Sequence, residues 1–278
     1  IQMLKKLLKY EWKDTSRLLL PINLAIIVLT ILGCSMLSTS IFDSEASIFF
    51  AVPLLILYIL SILTFSSVTI IYIYVRFYKN LYTAEGYLMH TLPVTPMQLF
   101  HSKLIVGCSW FGLNSLLTTL SFMALGFASG FHQASTNINV DTININLDPS
   151  ASFADIFGYP LPTFLLWMLA LLILSAFSSI LMEYVSILLG QQMERNKLAA
   201  SVAFYFGIYM VIQIITSVAM MVPEFITLSN ITDEEFTTNF LSETLRMAFP
   251  MMSIIYLAVG IAFYIICRVL MNRKVNLD

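Results

Sequence analysis

Six predominantly apolar runs decide what this chain can fold into: Leu18–Phe42, Ile48–Val75, Leu104–Ala128, Leu161–Leu189, Ala199–Val222 and Phe249–Met271. Each supplies the ~20 apolar residues that a helix needs to cross a hydrocarbon core of ~30 Å. Lipid cannot hydrogen-bond an exposed backbone, so runs of this length inside it must be helical. Composition agrees, because 59% of the 278 residues are hydrophobic, 11% are charged and the mean hydropathy is +0.86. Soluble domains carry about 25% charge; this chain has too little to cover a water-facing surface. The expected fold class is all-α membrane protein, with six transmembrane helices in one transmembrane domain over 1–278.

Charge placement orients the spans. Lys5, Lys6, Lys9, Lys13 and Arg17 precede the first, and Arg76, Lys79 and Lys103 flank the second connection. Arg195 and Lys197 fill the fourth connection, while Arg268, Arg273 and Lys274 follow the sixth span. Of the 14 Lys and Arg, Arg246 alone falls on the opposite side. That side gathers the acids Asp43, Glu45, Asp141, Asp148, Asp155, Glu224, Asp233, Glu234, Glu235 and Glu243. Basic residues are retained in the cytoplasm, so both termini are expected there, in a multi-pass protein of the cell membrane.

The remaining segments are short. Over 3–17, Leu4, Leu7, Leu8 and Trp12 share one helical face and Lys5, Lys6, Lys9 and Lys13 the other. This pattern predicts an amphipathic N-terminal helix lying in the interface, although Glu11 interrupts its apolar stripe. Met3 is expected to be the natural start, with no cleavable signal peptide. The extracellular segments are expected over 129–160 and 223–248. Partial alternation across Ile138–Leu147 hints at strands. Thr232-Asp-Glu-Glu235 reads as a capping box before a short surface helix carrying Phe236, Phe240, Leu241 and Leu245. Cys34, Cys108 and Cys267 all lie in apolar runs, without metal-ligand spacing or a disulfide framework.

The segment 76–103 joining the second and third spans mixes aromatic, charged and turn-forming residues, unlike a minimal linker. Pro93 disfavours helix at Leu92, and Thr95 can cap a helix that restarts at Pro96. Two short cytoplasmic helices are therefore expected, packed through Tyr87, Leu88, Leu92, Leu99 and Phe100. A partly apolar element with nothing attached reads as a docking surface.

The runs Glu85-Gly-Tyr-Leu, Thr91-Leu-Pro-Val, Gln98-Leu and Ser102-Lys-Leu resemble ABC-2-type permeases of Gram-positive bacteria. Tyr184-Val-Ser-Ile-Leu-Leu-Gly-Gln191, Lys197 and Tyr205-Phe-Gly207 extend the resemblance, as do the six-span layout and the amphipathic start. The resemblance implies a permease pairing with a second permease subunit, as a homodimer, and with two copies of an ATP-binding subunit. Glu85, Gly86, Tyr87, Leu88, Thr91, Leu92, Pro93, Gln98, Leu99, Ser102 and Lys103 would form the coupling segment seated on that subunit. The chain has no G-x-x-x-x-G-K-[ST] motif, so ATP and Mg2+ belong to the partner and no cofactor is expected on this chain. The resemblance favours export over import.

Polar groups within spans are costly and so are functional candidates. Asn114, Thr118, Gln213 and Thr216 are candidates for a substrate path, although such residues more often join helices. Glu183 is a candidate ion-pair partner of Arg195 or Lys197. His90, His101 and His132 are not arranged for metal, and no Ser/His/Asp set, H-E-x-x-H motif or paired intramembrane acids occur. Enzymatic chemistry on this chain is not expected, nor is nucleic acid as a partner. With 21 Phe, 13 Tyr and 15 Met, the spans suit a hydrophobic or amphipathic cargo, such as a peptide or toxin. Two other readings are a non-transporting membrane sensor or immunity protein and a secondary carrier.

Overall fold

The computed structural model describes residues 2–38, 45–82, 95–136, 153–194, 196–230 and 236–272, and every regular element among them is helical. These are α1 (Gln2–Ser38), α2 (Glu45–Tyr82), α3 (Pro96–Thr136), α4 (Phe153–Phe157), α5 (Leu161–Gly190), α6 (Lys197–Asn230) and α7 (Phe236–Asn272). Six of them are long and apolar enough to cross a membrane, over Leu4–Met36, Val52–Tyr82, Pro96–Gly126, Leu161–Gly190, Lys197–Ser229 and Phe240–Met271. The chain is a multi-pass helical membrane protein. Its residues divide into two compact units, Ile1–Asp141 and Thr142–Asp278.

In the first unit α1 and α3 run parallel, with α2 antiparallel to both. The packed face of α1 recurs at Glu11, Thr15, Leu19, Asn23, Ile26 and Gly33, a helical period, while Leu24, Ile27, Val28 and Ile31 point outward. Gly33 lets α2 come close, since a Cβ there would sit 2.9 Å from the Tyr58 ring. That ring is buried, and its hydroxyl meets Ser121 of α3.

In the second unit α5 is the centre. Nearly every side chain from Ala176 to Gly190 is buried, whereas α6 presents a broad apolar outer face including Val211, Ile214, Val218 and Phe225. Gly190 and Ser201 bring α5 and α6 together so closely that a Cβ on Gly190 would collide with the Ser201 backbone. The turn between them ends on Asn196, whose φ of 55° suits the left-handed region that asparagine tolerates. At the other end, Tyr159 stacks on Phe249 at 6.0 Å, and Phe164 packs on Phe157 and Phe249 at 5.2 and 5.6 Å. These rings tie α4 and α5 to α7.

Three expectations need correction. The amphipathic stretch 3–17 is not a separate helix, because α1 continues without a break from Gln2 to Ser38. Leucines and lysines propagate a helix readily, and nothing before Pro21 stops it; Pro21 itself lies inside the helix. Likewise, the helix expected to restart at Pro96 is the start of the 41-residue α3, not a short surface element. Finally, α6 extends to Asn230 and α7 begins at Phe236, so the described residues of 223–248 belong to two long helices and not to a separate short one. The strand hint at 138–147 and the capping pattern at 232–235 lie outside the described residues.

Candidate functional site at the basic end of the first unit

Among the described residues, four polar rungs join α1 to α3. Thr30 bonds Ser121 at 2.7 Å, and Ser121 also meets the Tyr58 hydroxyl. One step along, the Asn114 amide donates to Asn23 Oδ1 at 3.4 Å and to Thr69 Oγ1 at 3.3 Å. Next, Trp110 Nε1 donates to Thr15 Oγ1 at 3.0 Å, and the Trp110 ring stacks on Trp12 at 5.0 Å. The last rung is ionic and centres on Glu11. Its Oε1 receives Lys103 Nζ at 2.5 Å, and its Oε2 receives Arg76 Nη2 at 2.8 Å and Nε at 3.1 Å. Arg76 also reaches Asp14 at 2.7 Å and the Tyr72 hydroxyl at 3.3 Å.

The rungs arise from register. On α3 the partners are Lys103, Trp110, Asn114 and Ser121, spaced seven, four and seven residues apart. That spacing keeps one helix face against α1. Two carboxylates and two cations make the last rung neutral as a set. Glu11 and Lys103 are 7% and 5% exposed, so their pairing is shielded from water and from salt.

Arg76 lies near the end of α2 and Lys103 near the start of α3, and one carboxylate on α1 holds both.

The expected site residues divide accordingly. Glu85, Gly86, Tyr87, Leu88, Thr91, Leu92 and Pro93 lie outside the described residues. Gln98 and Thr95 form a reciprocal capping box, each accepting the other's backbone N–H at 3.3 Å, as the Thr95 cap predicted. Leu99 and Ser102 are buried, the Ser102 hydroxyl donating to the Leu99 carbonyl at 2.8 Å. Lys103 pairs with Glu11.

Among the path candidates, Asn114 belongs to a rung and Thr118 bonds Ser66 of α2 at 3.2 Å. Gln213 lies on the exposed side of α6, and Thr216 donates to its own helix at the Ile212 carbonyl, 3.0 Å away. Glu183 makes no ion pair with Lys197, and Arg195 lies outside the described residues. Among the described residues no group of three His, Cys, Asp or Glu side chains is placed to hold a metal. The three cysteines are free.

A wholly apolar groove of about 640 Å3 runs between α6 and α7, floored by Ala200, Ala203, Gly207 and Ala262 and walled by Phe204 and Phe263. Glu11 is the residue whose role the sequence obscured. The available signal was its place with Thr15, Asn23 and Thr30 on one face of α1.

No protein-family model, curated protein or solved structure matches the chain.

Proposed function

We propose that this chain is the membrane subunit of an ATP-driven exporter, moving a hydrophobic or amphipathic substrate with ATP hydrolysed by a separate subunit. Both termini then lie in the cytoplasm, and the connection 76–103 docks on the ATP-binding partner. The observation that carries the reading is the clamp: Arg76 and Lys103, flanking that connection, share Glu11. A docking element needs a rigid base to convert a push into helix movement, and a buried ion cluster provides one. A second copy of the chain would complete the permease. The all-apolar groove of the second unit agrees with a cargo lacking strong charge.

Co-purification with the ATP-binding protein encoded beside it tests the proposal. Stable association is expected, with ATPase activity that responds to the permease in wild type and is uncoupled in Glu85→Arg. If no ATPase associates with the wild-type chain, the exporter reading fails.

A further inference from the structure

The second unit holds a carboxyl that nothing in the exporter reading uses. Glu183 lies on α5 and is 1% exposed, with no hydrogen-bond partner for Oε2 among the described residues. Its neighbours on α5 do not serve it: Ser186, one turn on, donates to the Glu183 backbone carbonyl at 2.7 Å. From α6, Ser201 donates to the Lys197 carbonyl at 2.9 Å.

The titratable and charged groups on the packed helices near this depth are Lys197, Tyr205 and Tyr209 on α6 and Tyr264, Cys267 and Arg268 on α7. None forms an ion pair with Glu183 among the described residues, and Arg268 is exposed. A carboxylate charge in such a place carries a desolvation cost that no partner offsets. A group in this position takes up a cation or a proton instead.

The donor set decides between the two. A metal cation requires several oxygen ligands, and among the described residues no group of three His, Cys, Asp or Glu side chains is placed to hold one. The single unpartnered oxygen of Glu183 suits a proton and not a metal. The way out is short. Gln191, the residue just past the end of α5, lies eight residues on, roughly 12 Å by helical rise, and residues 192–194 beyond it are exposed. The crossing that seals this end rests on the contact of Gly190 with Ser201.

We propose that Glu183 is a proton-binding site: its buried carboxyl holds a proton and exchanges it with water toward the Gln191 end of the α5–α6 crossing. The step is an O–H dissociation to water, with the proton leaving and the electron pair staying on the carboxylate. It requires neither an ATPase partner nor export, so it stands or falls separately from that reading.

The test uses full-length protein in lipid nanodiscs. Infrared spectroscopy reads the C=O stretch of protonated carboxyls, and dicyclohexylcarbodiimide, a lipid-soluble reagent that adds to protonated carboxyls, is mapped by mass spectrometry. A protonated-carboxyl band at neutral pH that is lost in Glu183→Gln is expected, together with a carbodiimide adduct on Glu183 whose yield falls as pH rises. The amide copies the neutral acid in shape, so Glu183→Gln is expected to fold. An unchanged band in the folded variant overturns the proposal. The carbodiimide arm needs only the wild-type chain, and no adduct on Glu183, or a yield indifferent to pH, overturns it as well.

Discussion

At the scale of single residues, Glu11 shows how a side chain that breaks a sequence pattern can be the one that organises it. Among leucines of an amphipathic stretch its charge is a flaw. Once α2 and α3 are packed against α1, the same charge meets Lys103 and Arg76. Removing it takes the carboxylate away from a buried ammonium, so Glu11→Gln is expected to lower stability by about 3–5 kcal/mol. Asp14→Asn removes a carboxylate that is more than half exposed, and screening by water limits its effect to under about 1 kcal/mol. Chemical unfolding of both variants in mixed micelles compares the two; equal losses would refute a buried clamp. Asn114→Ala, which empties a hydrogen-bonded rung, is expected to cost about 0.6 kcal/mol and no more than about 1.7 kcal/mol. Sequence alone made Asn114 visible as a polar residue at membrane depth, but not its partners. Those depend on the register of three helices, to which a one-dimensional pattern is blind.

At the scale of elements, the six spans were legible because lipid imposes a length and a polarity that composition cannot hide. Their ends were not. Hydropathy reports where lipid ends, whereas the helix continues for as long as the backbone favours it. For this reason α1 runs through Lys5–Arg17, and α6 runs past Val222 to Asn230. The cap at Thr95 was legible, since it depends only on residues three apart. Contacts between elements rest on small residues such as Gly33, Gly190 and Gly260. Gly33→Leu is expected to push Tyr58 away from Ser121 and separate α1 from α2, whereas Gly126→Leu, with open space beyond its backbone, is expected to be tolerated. Gly190→Val has no such room and is expected to abolish the α5–α6 hairpin. Thermal unfolding followed by size-exclusion chromatography ranks the three; a tolerated Gly190→Val would show that the crossing is looser than described.

At the scale of the whole molecule, the chain consists of two three-span units, each with its own helix packing. The proposed exporter requires Lys5–Arg17, Lys103 and Lys197 to lie on the cytoplasmic side. Single cysteines report that directly, with Cys34, Cys108 and Cys267 replaced first. In intact cells an impermeant maleimide is expected to label Ser229→Cys and to label Glu194→Cys only after lysis. The reverse pattern would invert the topology and remove the proposed docking face from ATP. The central claim is that Glu11 transmits force from the 76–103 connection to α1. The most direct measurement is permease-stimulated ATPase activity of the assembled complex, compared between wild type and Glu11→Gln below the unfolding temperature of the variant. The clamp account predicts that Glu11→Gln still binds the ATPase but loses the stimulation; a folded Glu11→Gln complex with wild-type stimulation would contradict it.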